Sequence, residues 1–371
     1  MSKPLDVAVN MLWCRPGRVG GSEQYLVRQL LGLAAIVTEY EPKLFVLPGF
    51  REAHRDLEAT CQVEVAPISG NNRARRIVCE HSWLARRARN AALVHHGGGT
   101  VPSGGSGPTV LTIHDLQYLT YPQYFSRLKR GYLNWAMPRS ANRADVIAVP
   151  TEFVRRTVIE AYARAPDTVV VVPHGLDSSL GADATNEESL RTKFGLGAGP
   201  ILVFPAVSHP HKGHLFLLDL MARYWTEPDL RLVFTGTRGA AHDTVMGAIE
   251  RLGLRERVRH LGRVSDGDRD GLIKMAAALV FPSEYEGFGA PLIESMALGT
   301  PVICSDRACL GEVAGSAALV LPLELEAWSI ALEQLLPRRA EMVAAGLERS
   351  THFTAAVSAQ ALVAAYDLAL A

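Results

Sequence analysis

The apolar positions of this chain fall into short runs separated by stretches of helical period. DVAVNML (6–12) leads into the loop WCRPGRVGGS and a helical pattern from about Glu23. KLFVLPG (43–49), VEVAPI (63–68), ALVHHG (92–97), TVLTIHD (109–115), VIAVP (146–150) and VVVVPHG (169–175) continue the series. The second half repeats the rhythm with ILVFPAV (201–207), RLVFTG (231–236), VRHLG (258–262), ALVFPS (278–283), PVICSD (301–306) and ALVLPL (318–323). Near-continuous Val, Ile and Leu runs between helices indicate strands buried on both faces of a parallel sheet. The pattern predicts an α/β protein of two doubly wound domains, residues 1–180 and 181–371, facing each other across a cleft. Ligands of such sheets sit beyond the carboxyl ends of the strands. The stretch SSLGADATNEESLRTKFGLGAG (178–199) lacks strand character and is rich in small and polar residues, so it is the expected linker. The tail HFTAAVSAQALVAAYDLALA (352–371) has helical periodicity and is apolar enough to need a partner surface.

Length supports this division. A chain of 371 residues with 48% hydrophobic content is too long for one ordinary core and suits two. No apolar run approaches the roughly 18–20 residues of a membrane span. The first residues, MSKPLDVAVNMLW, lack the apolar region and cleavage site of a signal peptide. The five cysteines, Cys14, Cys61, Cys79, Cys304 and Cys309, are odd in number and show no CxxC or metal-ligand spacing. A reducing, cytoplasmic setting is expected.

Zero net charge hides an asymmetry. Residues 1–180 carry 21 Lys and Arg against 15 Asp and Glu, while residues 181–371 carry 17 against 23. The basic surplus forms two clusters. One is Arg73, Arg75, Arg76, Arg86, Arg87 and Arg89, interrupted by Glu80. The other is Arg127, Lys129, Arg130, Arg139 and Arg143, with Tyr132 and Trp135 among them and no acid. Such residues either meet an anionic membrane or acceptor, or form a solvated helix face. Nucleic acid is not an expected partner.

The candidate chemistry lies where strands end. In RPGRVGGSEQY (15–25), Gly20 and Gly21 precede Ser22, an expected N-cap. Glycines admit a close ligand, and a helix N-terminus favours an anion such as phosphate. The loop is not GxGxxG, so the nicotinamide-cofactor fingerprint is not met. TIHD (112–115) ends a strand with His114 and Asp115, which either line a site or are structural. VHHGGGTVPSGGSG (94–107) ends another with His95 and His96, and then a loop that closes over a ligand or merely connects. VPHGLD (172–177) implies a tight turn at Gly175, with Asp177 placed to cap the next segment. In AVSHPHKGH (206–214), Lys212 stands before Gly213 and a helix, as a diphosphate clamp would. His209, His211 and His214 lack the HExxH spacing and a nearby carboxylate, so no metal site is expected. Arg238 in FTGTRG (234–239) is a second candidate cation.

The stretch EYEGFGAPLIE (284–294) is the most informative. Glu286 sits on a loop, and Gly287 and Gly289 open the backbone. Pro291 suits a first helical turn, and Glu294 lies about one turn in. Two carboxylates for vicinal diols, with N–H donors between them, fit the ribose, diphosphate and sugar of a nucleotide sugar.

Taken together, GGSE (20–23), HD (114–115), HGLD (174–177), HPHKG (209–213) and EGFGAPLIE (286–294) resemble, in order, the motifs of the retaining glycosyltransferases of family 4. The resemblance covers nearly the whole chain and implies the GT-B fold of two Rossmann-like domains, with the tail helix crossing back to the first. It implies that Glu294 binds ribose hydroxyls and that Glu286 lies near the donor sugar with Phe288, Gly289 and Ala290. Lys212 would hold the diphosphate, Gly20 and Gly21 would approach the phosphates, and His114 would line the sugar pocket. His95, His96 and Asp115 are assigned to the acceptor side. The family's arginine before the lysine is absent, leaving His209 or Arg238 to compensate. The His-Lys form resembles bacterial members that use mannose or rhamnose donors.

The expected reaction moves a hexose, mannose from GDP-mannose first, to a glycan, lipid-linked or small-molecule acceptor. Configuration is retained, and neither cofactor nor metal takes part. A UDP-sugar-dependent transferase, a non-hydrolysing epimerase, a phosphorolytic enzyme and a non-catalytic nucleotide-sugar-binding protein are the rivals.

Overall fold

The computed structural model describes residues 4–17, 20–105 and 107–371. Arg18, Val19 and Ser106, which belong to two of the glycine-containing loops above, lie outside the described residues. Contacts divide the chain into two compact units, residues 1–175 with 353–371, and residues 176–352.

Each apolar run of the sequence forms a parallel strand. The first unit holds β1 (Leu5–Asn10), β2 (Tyr40–Val46), β3 (Gln62–Val65), β4 (Leu93–His96), β5 (Thr109–Thr112), β6 (Val146–Val149) and β7 (Val169–Val171). They lie in the order β3-β2-β1-β4-β5-β6-β7. The second unit holds β8 (Ile201–Pro205), β9 (Arg231–Thr235), β10 (Val258–His260), β11 (Ala278–Phe281), β12 (Val302–Ser305) and β13 (Leu319–Leu321), in the order β10-β9-β8-β11-β12-β13. In each sheet the chain runs outward for three strands and then returns to the other side of the first. The switch points therefore lie between β1 and β4 and between β8 and β11. Such a switch opens a crevice at the carboxyl ends of its strands.

The segment read as a linker is part of the second unit. Residues 187–194 form a helix whose cap, Asn186, accepts a hydrogen bond from the Ser189 amide. Leu190 is fully buried, and Lys193 pairs with Asp268 at 2.6 Å. The amides of Gly181 and Thr185 bond the Asp270 carboxylate and the Gly267 carbonyl, both at 2.9 Å. A polar composition hid one apolar anchor and a set of backbone bonds, and the boundary between units falls at residues 175–176 instead.

The tail helix Ala355–Leu370 packs in the first unit, where Ala359, Leu362, Ala365 and Tyr366 join the core of Leu26, Leu30 and Leu33. Tyr40 donates to Asp367 at 2.6 Å and Ser358 to the Pro173 carbonyl at 2.5 Å. By length and composition, 331–370 includes a window apolar enough to cross a membrane, contrary to the expectation from the sequence. The stretch is divided into separate helices, with Pro337 inside the turn Leu336–Arg338. Its apolar residues Leu335, Met342, Leu362 and Tyr366 are buried in cores.

Candidate active site

In the second unit the switch point carries a charged pair. Lys212 ends a short turn, Pro210–Lys212, after β8, and Glu286 lies on the loop after β11. Lys212 Nζ donates to Glu286 Oε1 at 2.6 Å, with the side chains only 18% and 12% exposed. Three further bonds hold the two loops. The Glu284 amide donates to the His211 carbonyl at 2.8 Å, Cys309 Sγ to the Glu286 carbonyl at 3.2 Å, and Ser305 Oγ to the Ser283 carbonyl at 2.6 Å. Gly213 and Gly289 have φ of 82° and 86°, and a Cβ would fall 2.4 Å from the Pro282 carbonyl oxygen and 2.7 Å from Leu310 Cδ2. Only glycine suits both places.

Burial drives His211 down to about 3, with help from Lys212 and His209, so its ring is neutral and leaves the positive charge to Lys212. His209 stacks on His211 at 5.8 Å. His214 is placed elsewhere than the loop reading had it, inside the core between Phe204 and Phe234. Arg238 is exposed on the loop after β9, whose Thr237 carbonyl accepts from the Ser208 amide at 3.4 Å.

The helix Ala290–Ala297 comes directly after Gly289, so Ala290 opens its first turn, with Pro291 beside it. Phe288 is buried before the turn, and Glu294 is buried one turn into the helix. Beside Glu294 stands Arg269, a residue the sequence reading missed. Its guanidinium bonds Asp270 Oδ1 through Nε (3.0 Å) and Nη2 (2.8 Å), and Asp266 Oδ1 at 3.1 Å. Burial works against this charge, but the carboxylates of Glu294 and Asp270 outweigh it and raise the pKa. The only sequence signal was a basic residue between acids in SDGDRDGL (265–272), with nothing to connect it to position 294.

In the first unit the helix after β1 begins at Gly21, and its cap is Gly20 rather than Ser22. The space where side chains of Gly20 and Gly21 would stand is open. Glu23 turns back from the first turn to accept from the Gly17 amide at 3.0 Å and to meet His54 Nε2 at 2.8 Å. His114 is part-buried, with Tyr25 and Trp13 rings 5.3 Å and 5.9 Å away. Burial lowers its pKa, although the Gly97 carbonyl and Asp115 oppose the shift. His114 Nε2 donates to that carbonyl at 2.9 Å, so the neutral ring presents Nδ1 as an acceptor. Asp115 is exposed and accepts from the Gln117 amide at 2.9 Å.

The neighbouring histidines correct the acceptor-side reading. His95 has no exposed surface; Nδ1 meets the Tyr366 hydroxyl at 2.9 Å and Nε2 the Thr112 hydroxyl at 2.7 Å. It is a buried tie to the tail helix, neutral because burial first and His96 second push it to about 3. His96 is buried too, and its Nδ1 accepts from Asn10 Nδ2 at 3.1 Å. The loop after β4 borders a narrow cavity, which Val101, Pro102, Gly104 and Gly105 line together with His96. It is pinned by Val101 N to Ser140 Oγ at 2.9 Å and by Ser103 N to His81 Nδ1 at 3.0 Å.

Comparison with known proteins identifies the family. Residues 19–180 match the glycosyltransferase family 4 model, and residues 186–349 match that of glycosyl transferases group 1. The O-antigen chain mannosyltransferase B of Escherichia coli is 31% identical over 232 residues, 61% of each chain. The O-antigen chain mannosyltransferase RfbU of Salmonella typhimurium is 28% identical over 262 residues, 68% of each. Among solved structures, HepE of Anabaena in complex with UDP and glucose shares the fold with a TM-score of 0.77. That match has 18% identity and covers 98% of this chain and 99% of the other. With one family model on each half and both Rossmann-like sheets in place, the chain belongs to the GT-B glycosyltransferases of family 4.

Proposed function

We propose that the protein transfers a mannosyl group from GDP-mannose to an acceptor hydroxyl, with retention and without a metal or other cofactor. The Lys212–Glu286 pair at the switch point of the second unit carries this reading. As the bond from C1 to the diphosphate oxygen breaks, negative charge grows on the leaving group. The Lys212 ammonium and the amides around Gly287–Ala290 would stabilise it, the role a metal plays elsewhere. The acceptor oxygen attacks C1 from the same face, and its proton passes to the departing phosphate oxygen. Glu286 holds Lys212 in position and takes a sugar hydroxyl, Glu294 takes the ribose diol, and Arg238 is a further cation for the nucleotide. Gly20 and Gly21 give the phosphates an open backbone, and His114 Nδ1 accepts from a sugar hydroxyl. Asp115 remains the acceptor-side assignment. Mannose is favoured by the relative at 31% identity, a mannosyltransferase, and by the His-Lys form of HPHKG.

The acceptor is a glycan, lipid-linked or small-molecule hydroxyl, with a lipid-linked one at the inner membrane face preferred. Arg73 lies over the Tyr132 ring at 4.2 Å, which joins the two basic clusters into one surface. Trp135 and Leu128 are 56% and 87% exposed there. Cations around exposed apolar side chains suit anionic lipid, and binding to anionic vesicles should weaken with salt.

Thermal stabilisation across GDP-mannose, UDP-glucose, UDP-N-acetylglucosamine and dTDP-rhamnose tests the donor site, since a ligand of the folded state raises its stability. GDP-mannose should give the largest shift, undiminished by EDTA and lost in Glu294→Ala. A shift with a UDP-sugar alone would replace the donor, and no shift with any would remove the reading.

A further inference from the structure

A groove of about 270 Å³ opens in the first unit between the loops after β1, β2 and β3, lined by Arg15, Pro16, Leu47, Pro48, Gly49 and Ser69. It lies to one side of the β1/β4 switch point where Asn10 and His96 meet, and none of the candidate site residues lines it. Its volume falls just under the roughly 300–1,000 Å³ of drug-sized sites, so it suits one sugar ring. The walls have two characters. Pro16 and Pro48 offer apolar surface for the C–H face of a pyranose, over the buried Leu47. Arg15 and Ser69 supply polar groups at the rim.

Arg15 is built into place. Its Nη2 donates to Asn71 Oδ1 at 2.7 Å, and the Asn71 amide donates to Ser69 Oγ at 3.4 Å. One arm of the guanidinium is thus anchored, and the rest of the planar fork is available for a bidentate anion. Among the described residues no acid lines the groove. Glu23, the carboxylate tied to this loop, is committed to the Gly17 amide and His54. Ser69 Oγ accepts from Asn71 and keeps its own proton to donate.

We infer that this groove is a subsite for an anionic sugar, a pyranose bearing a phosphate ester or a carboxylate, with Arg15 on the anion and the Pro16–Pro48 surface under the ring. Calling it part of the acceptor site rests on the proposed function; binding itself does not, and it can be read without turnover. Calorimetric or thermal-shift titration of the whole protein with mannose 6-phosphate, glucuronate and methyl α-mannoside decides the matter. One or both anionic sugars should bind at least tenfold more tightly than the neutral one. Arg15→Gln should erase that difference, and Ser69→Trp, which fills an exposed part of the groove, should abolish binding of all three. Preference for the phosphate names a phosphorylated acceptor unit, and preference for glucuronate a uronic acid. Equal binding of the neutral sugar, anion binding that survives Arg15→Gln, or no binding of either anion overturns the inference. Donor stabilisation that fails while anionic sugar binds would overturn the proposed mannosyl transfer and leave the groove standing.

Discussion

Both sheets reverse their strand order beside their first strand, and both place a hydrogen-bonded pair across the reversal. In the first unit the pair is Asn10 and His96, both buried and uncharged, 3.1 Å apart. In the second it is Lys212 and Glu286, charged and partly open to water, 2.6 Å apart. The topology is the same, and the difference is how far the side chains stand from the sheet. Asn10 and His96 are the last residues of their strands, and both stay buried there. Lys212 and Glu286 stand several residues beyond β8 and β11, on loops held by Gly213, Gly289 and Cys309. A polar residue at a strand end becomes chemistry only when its loop carries it clear of the packing.

The sharpest test exchanges the consequences of two substitutions. Lys212→Ala should lower kcat by about 100- to 1,000-fold, the usual effect of deleting one donor to a developing oxyanion. Its melting temperature should fall less than that of His95→Ala, since Glu286, at 12% exposure, keeps some access to water when it loses its partner. His95→Ala should do the reverse. It leaves the Thr112 and Tyr366 hydroxyls unpartnered beside a new cavity, at a cost of about 3 kcal/mol in denaturant unfolding. Activity per folded molecule should stay near that of the parent. If His95→Ala abolished turnover without loss of stability, the buried histidines would belong to the chemistry after all.

A second test concerns charge inside the first unit. Glu80 lies in a π-helical turn, Glu80–Leu84, and lines a narrow cavity with His96, Arg89 and Arg143. Burial raises its pKa to about 7, although Arg76, 3.7 Å away, and Arg73 pull it down. Between about pH 4.5 and 7 the folded protein holds a proton that the unfolded chain has released. Glu80 therefore contributes stability below this window, and the contribution is lost as pH rises through 7. The slope integrates to about 3 kcal/mol. Glu80→Gln should flatten it and leave the protein more stable than the parent at pH 8. His95 and His96, held neutral at about 3, act in the opposite direction, with stability present above pH 6.5 and lost on acidification. That acid limb should persist in Glu80→Gln.

The same contrast explains what was legible in the chain. All thirteen strands could be read, because a doubly covered parallel sheet needs short, continuous apolar runs rich in Val and Ile. The turns that carry Lys212, Glu286 and Glu294 could be read because glycines and a first-turn proline mark them. His95 was misread because adjacent strand residues face opposite sides of a sheet, and the sequence does not say which side a distant tail helix will cover. The Tyr366 partner lies 271 residues away. The helix 187–194 was taken for linker because Leu190 is its one buried residue. Arg269 was invisible for a related reason, since its role depends on two helices whose packing no local pattern encodes.

Arg269 sets the smallest and most discriminating of the tests. It touches Asp270 and Asp266 by hydrogen bonds and Glu294 through its charge. It thus acts on the carboxylate assigned to the ribose, remote from the Lys212 end where the bond breaks. Arg269→Ala should raise the KM for the nucleotide sugar about 3- to 10-fold, close to 1 kcal/mol for a part-exposed ionic contact. The kcat should stay within about twofold, because ribose binding is shared by ground state and transition state. Arg269→Lys should recover part of the loss by restoring the charge without the planar fork. Asp270 keeps the Gly181 amide in either variant, so the segment it anchors should remain folded. A fall in kcat at constant KM would mean that Arg269 reaches the reacting end. The second unit would then have no separate binding and bond-breaking ends, and the contrast with the closed pair of the first unit would need a different cause.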